Sequence, residues 1–102
     1  MSPAADVLVE AYTLTLDGLW REAEKYADQM AQGDEIDDAV ASRFFDRYLI
    51  IRLKLIREQF PDLVVLPWTP PAPPVFRRAE DVRRVQQDID HVRMALRFLR
   101  SH

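Results

Sequence analysis

Apolar residues recur on alternating three- and four-residue steps in two stretches of this chain. Near the N-terminus the series is Val9, Tyr12, Leu16, Leu19, Ala23, Tyr26, Met30. Near the C-terminus it is Val82, Val85, Ile89, Val92, Leu96, Leu99. Such spacing keeps one narrow stripe of a helix against a partner helix, as in bundles and coiled coils. It predicts a first helix over about 3–32 and a last helix from Arg78 or Ala79 to Arg100.

The first helix has its punctuation in place. Ser2 can cap it, Pro3 suits the first helical position, and Gly33 suits the left-handed residue that closes a helix. Two features compete. Val7 to Leu16 alternates somewhat like a strand, and Asp17-Gly18 is a hairpin-turn dipeptide. The segment after it, Leu19 to Tyr26, has no strand pattern, and the stripe stays in phase through Leu16, Leu19 and Ala23. One helix, kinked or weakened at Gly18, is the better reading.

Between these stretches a second helix is expected over about 35–60, capped by Asp34, with Asp37 and Asp38 in its first turn and Pro61 after its end. Its apolar positions (Ile36, Val40, Phe44, Phe45, Tyr48, Leu49, Ile51, Leu55, Ile56) cover a wider arc than either stripe. That breadth places it at the centre of the expected bundle. Residues 61–78 hold six of the chain's 7 prolines. Pro67 to Pro74 favours an extended polyproline conformation. Leu63, Val64, Val65, Leu66, Trp68, Val75 and Phe76 within the link call for burial, so it reads as a strap over the helices. Leu63 to Leu66 could form a short strand.

The fold class expected is therefore all-α: one domain over 1–102, a small bundle of three main helices with a proline-rich extended strap between the second and third. Helices joined by a tight turn at Gly33 should be antiparallel. If the strap runs back along the second helix, the third lies parallel to it. If it does not, the third can pack on another copy. With Val82, Ile89 and Leu96 as a positions and Val85, Val92 and Leu99 as d positions, Asp88 could face Arg93 of a parallel second copy. Packing within one chain explains the stripe equally well.

Composition narrows the function classes. At 102 residues the chain forms one domain at most, and short chains often gain stability by self-association. Only 2 glycines speak against an all-β fold, and the absence of cysteine excludes disulfides and thiolate metal sites. No basic residue precedes Arg21, unlike a signal peptide, and Arg47, Arg52, Lys54 and Arg57 break the longest apolar stretches. A soluble, cytoplasmic protein is expected, without membrane contact. Net charge is −3, but residues 1–51 hold 11 acidic and 4 basic side chains, and residues 52–102 hold 6 and 10. Attraction between the halves, within or between chains, follows.

Each candidate chemistry has a plainer counterpart. Pro71 and Pro74, followed by Arg77 and Arg78, have the spacing read by proline-recognition domains. The apolar neighbours favour an intramolecular strap instead. Arg83, Arg84, Arg93 and Arg97 could meet nucleic acid, but Glu80, Asp81, Asp88 and Asp90 are interleaved, as on a solvated face with local ion pairs. Aromatics such as Trp20, Tyr12 and Phe44 could line a ligand pocket, although in a small bundle they serve the core. Trp68 is the exception, an anchor for the strap or for a partner.

Two short motifs resemble enzyme families. Arg84 with His91, and Arg97 with His102, resemble the arginine–histidine motif of HEPN-type ribonucleases, which are small all-α dimers. That resemblance implies histidine as the acid–base group and arginine near phosphate. Glu35-x-x-Asp38, with Glu22 and Glu24, partly resembles the carboxylate motifs of MazG-type pyrophosphohydrolases, which hold magnesium. It departs from them because Glu22 and Glu24 are misplaced for one helical face.

The function expected is non-catalytic: a small interaction or adaptor subunit, acting as a homodimer or docked on a larger protein, with no cofactor, metal or catalytic residue. Its surface would be Trp68 with Val82, Val85, Ile89, Val92, Leu96 and Leu99. The alternatives are a nucleic-acid-associated regulator using Arg83, Arg84, Arg93 and Arg97, and an α-helical HEPN-like ribonuclease or nucleotide hydrolase.

Overall fold

The computed structural model describes residues 3–55 and 76–101. They form three helices, α1 (Pro3–Ala31), α2 (Asp38–Leu53) and α3 (Ala79–Ser101). The architecture is an all-α bundle, as the periodicity requires.

α1 runs unbroken through Gly18. Thr13 and Thr15, in its strand-like stretch, donate their hydroxyls to the Val9 and Ala11 carbonyls at 2.7 and 3.0 Å. Their polar atoms are thus satisfied within the helix. At the C-terminal end the Gly33 N–H donates to Met30 O at 3.1 Å and the Asp34 N–H to Gln29 O at 2.9 Å. This paired pattern needs a left-handed residue, and Gly33 supplies it with φ 95°.

α2 starts later than its run of aspartates suggests. Asp37, not Asp34, is the cap, its carboxylate accepting from the Ala39 N–H at 2.7 Å. Asp34 is already engaged in closing α1, so the chain needs Asp34–Asp37 to reverse direction before a second helix can begin. The described chain continues past α2 to Leu55, and the expected end near Phe60 and Pro61 lies outside the described residues. So do most of the expected strap, Trp68, and the Pro71–Pro74 spacing. At α3 the Asp81 carboxylate accepts from the Arg77 and Arg78 N–H groups at 3.0 and 2.9 Å, which fixes the helix start where it was expected.

The ion pairs and ring contacts set the directions. Tyr26 meets Phe44 and Glu22 meets Arg47, so α1 and α2 are antiparallel. Glu24 meets Arg83 and Asp17 meets Arg93, so α1 and α3 are antiparallel too. Phe44 meets Phe76 and Arg52 meets Asp88, so α3 lies parallel to α2.

The closest pair is α1 with α3, and α2 stands further off. This corrects the central position expected for the second helix. Side-chain size is the reason. Ala23 and Ala27 face a stripe rich in valine and let two backbones approach, whereas α2 presents Phe44, Phe45 and Tyr48. The core is Val9, Leu16, Leu19, Ala23 and Ala27 against Val82, Val85, Ile89, Val92 and Leu96, closed by the aromatic layer of α2 with Phe76. Phe44 lies 5.6 Å from Tyr26, edge to face, and 6.3 Å from Phe76.

Candidate interaction surface

The C-terminal stripe is interior to its own chain. Val82, Ile89, Val92 and Leu96 are fully buried and Val85 nearly so, all within the core shared by the three helices. Intramolecular packing therefore accounts for these residues. The Leu99 side chain and Trp68 lie outside the described residues.

The polar residues of α3 are equally committed to the fold. Asp88 is buried, accepts from the Tyr48 hydroxyl, and pairs with Arg52 Nε at 3.1 Å. Burial, then the bond to Asp88, pushes the Tyr48 hydroxyl well above the ordinary phenol range. Arg93 pairs with Asp17 at 2.8 Å and lies 5.3 Å over the Trp20 ring. The interchain Asp88–Arg93 pairing that the heptad register offered is thus replaced by partners in the same chain.

Further along the seam Arg83 bonds Glu24 at 2.7 Å and Asp28 at 3.4 Å. Gln86 donates to Glu24 at 2.6 Å and to the Trp20 carbonyl at 3.4 Å. The bonds from Gln86, then Arg83, hold the Glu24 carboxyl below its usual range. The acidic and basic halves of the sequence meet here, within one chain. On the other flank of α1, Glu22 accepts from Tyr26 and from Arg47, both at 2.5 Å. Burial, then Glu22, pushes the Tyr26 hydroxyl up to about 12.

Of the four arginines offered to nucleic acid, Arg83 and Arg93 are therefore spent on α1 carboxylates, while Arg84 and Arg97 are exposed. Arg84 and His91 are both exposed on α3, and His102 lies outside the described residues. Glu22 and Glu24 face different neighbours, Arg47 on α2 and Arg83 on α3. Glu35 sits in the α1–α2 turn and Asp38 opens α2, both exposed. Among the described residues no group of three His, Asp or Glu could hold a metal ion, and no helix is long and apolar enough to cross a membrane.

What the periodicity had not singled out is a second stripe on α1. Ala4, Val7, Ala11, Leu14 and Gly18 follow the same three-four spacing, offset from the buried series; the first four are exposed and Gly18 partly so. Val7 is 67% and Leu14 64% exposed. Beside Gly18 an apolar groove of about 430 Å³ runs between α1 and α2, lined by Thr15, Leu19, Ile50 and Ile51 and bounded by the Glu22–Arg47 pair. Met94 and Phe98 on α3, and Ile50 and Leu53 on α2, are also large apolar side chains left in solvent. No protein-family model, curated protein or solved structure matches the chain.

Proposed function

We propose that this protein is a small non-catalytic interaction subunit, working in the cytoplasm as a partner-binding module. The observation that carries the reading is the second apolar stripe of α1. A helix whose inward face is already satisfied gains little in the isolated fold from Val7 and Leu14, each about two-thirds exposed. A partner that covers them recovers roughly 25 cal/mol for each Å² of apolar surface removed from water. Asp17, Glu22, Glu24 and Asp28 of α1 and Arg83, Asp88 and Arg93 of α3 are used to hold the helices together. Arg83 and Arg93 in particular are neutralised by α1, which removes charge from a nucleic-acid role.

The experiment is gel filtration of tagged protein in extract from its own cells, with absorbance at 260 and 280 nm on the purified peak. The expected result is migration above the 11.9 kDa chain mass, with no nucleic-acid absorbance. A species of monomer size in the extract overturns the reading. A high 260/280 ratio that falls as salt rises transfers it to the nucleic-acid alternative.

A further inference from the structure

We propose that the outward face of α1 binds a second copy of this chain, α1 against α1 and antiparallel. The inference rests on the reading of the protein as an interaction subunit and names its partner. Its basis is the charge pattern around the second stripe.

α1 carries eight charged side chains between Pro3 and Ala31. Asp17, Glu22, Glu24 and Asp28 are bonded to α2 or α3. Asp6, Glu10, Arg21 and Lys25 are exposed and have no hydrogen bond or ion pair among the described residues.

The four unbonded charges are ordered. The two acids precede Leu14 and Gly18, and the two bases follow them. A parallel copy in register would set acid on acid and base on base, which is repulsive. An antiparallel copy reverses the order. With Leu14 of each copy laid over Gly18 of the other, Ala11 falls beside the Arg21 stem and Val7 beside the Lys25 stem. The Arg21 and Lys25 heads then reach Glu10 and Asp6, one residue away in each case. The two-fold axis repeats both ion pairs, so the exposed charges of α1 are neutralised and the apolar positions are covered at once. Long basic side chains suit this place, since their stems cover apolar surface while their heads stay wet.

Shape supports the same register. A Cβ added at Gly18 meets nothing within 4 Å, so the position is open space rather than packed backbone. It adjoins the apolar groove with Ile50 and Ile51. A leucine from a facing helix finds room there that any larger residue at position 18 would fill.

The test uses the full chain and two charge variants, D6K/E10K, whose α1 face is all basic, and R21E/K25E, whose face is all acidic. Purified wild type is expected to scatter light as a dimer, twice the chain mass. Each variant alone should associate about tenfold or more weakly. An equimolar mixture of the two should restore the dimer, because the all-basic and all-acidic faces now complement each other. Unchanged helical circular dichroism controls for folding, and L14D should be monomeric. A wild type that stays monomeric over a concentration series overturns the proposal. So do variants that dimerise like wild type, or a mixture that stays monomeric. If purified wild type is monomeric while the protein in cell extract runs in a larger species, self-pairing fails and the interaction-subunit reading stands. Monomer in both settings removes both.

Discussion

The Tyr48 hydroxyl donates to the buried Asp88 carboxylate, joining α2 to α3 across forty residues of sequence. Arg52, one helical turn beyond Tyr48, pairs with the same Asp88 oxygen at 3.1 Å. This three-residue clamp matters because α2 approaches the other helices less closely than they approach each other. Y48F should cost about 1–3 kcal/mol, the price of a buried acceptor losing one donor. D88N removes the carboxylate charge that the largely buried Arg52 meets and should cost about 3–5 kcal/mol. Urea unfolding of both single variants and the double variant should show coupling above about 0.5 kcal/mol. Additive losses would mean that the clamp does not act as a unit.

Arg93 joins a charge to a ring. R93K keeps the cation for Asp17 but loses the planar stacking over Trp20. The expected loss is about 1–2 kcal/mol, with a change in tryptophan emission that R84K does not produce. Equal behaviour of the two variants would remove the stacking argument.

Stability should fall at both ends of the pH scale for different reasons. Glu24 has a lowered folded pKa, from an ordinary 4.5, because Gln86 and Arg83 bond its charged form. Below the ordinary value the unfolded chain binds the proton first, so this contribution is present above about 4.5 and fades as pH falls further. Tyr26 is raised from 10.0 to about 12, so its contribution is present below 10 and is lost as pH rises between those values. E24Q should flatten the acid limb of Tm against pH, and Y26F the alkaline limb. Exchanged effects, or none, would contradict the assigned bonds.

Phe44 is the keystone of the aromatic layer, fully buried between Tyr26 and Phe76. F44A should cost about 3–5 kcal/mol, while R83A, at a seam pair with about two-fifths of each side chain exposed, should cost about 1 kcal/mol or less. Thermal melts of the two variants rank the terms directly. A larger loss for R83A would place the stability in the charge ladder rather than in the core.

Much of the fold was legible in the sequence, because periodicity reports what a helix buries. The Val82–Leu96 series is buried as its spacing requires, and Gly33 closes α1 as a left-handed glycine should. The cap of α2 was misplaced because Asp34, Asp37 and Asp38 offer the same chemistry, and only the hydrogen bonds of the preceding turn decide among them. The centre of the bundle was misplaced for a related reason. Apolar arc counts how much surface a helix can bury, whereas closeness depends on side-chain size, and Ala23 and Ala27 favour α1. The strand-like run from Val7 to Leu16 held a further message. Two helical stripes, one through Val9 and Leu16 and one through Val7 and Leu14, interleave there and imitate alternation. The α1 partners of Arg83 and Arg93 were not legible, since Glu24, Asp28 and Asp17 lie more than fifty residues away.

The pairing of α1 with α3 also bears on synthesis. Gln86 reaches back 66 residues to Trp20, and Arg83 reaches back 59 to Glu24. While the ribosome is still making the intervening chain, α1 has emerged with both of its apolar faces uncovered. Its inner face must wait for α3, so the nascent chain is a candidate for chaperone binding or for premature association with a neighbouring nascent chain.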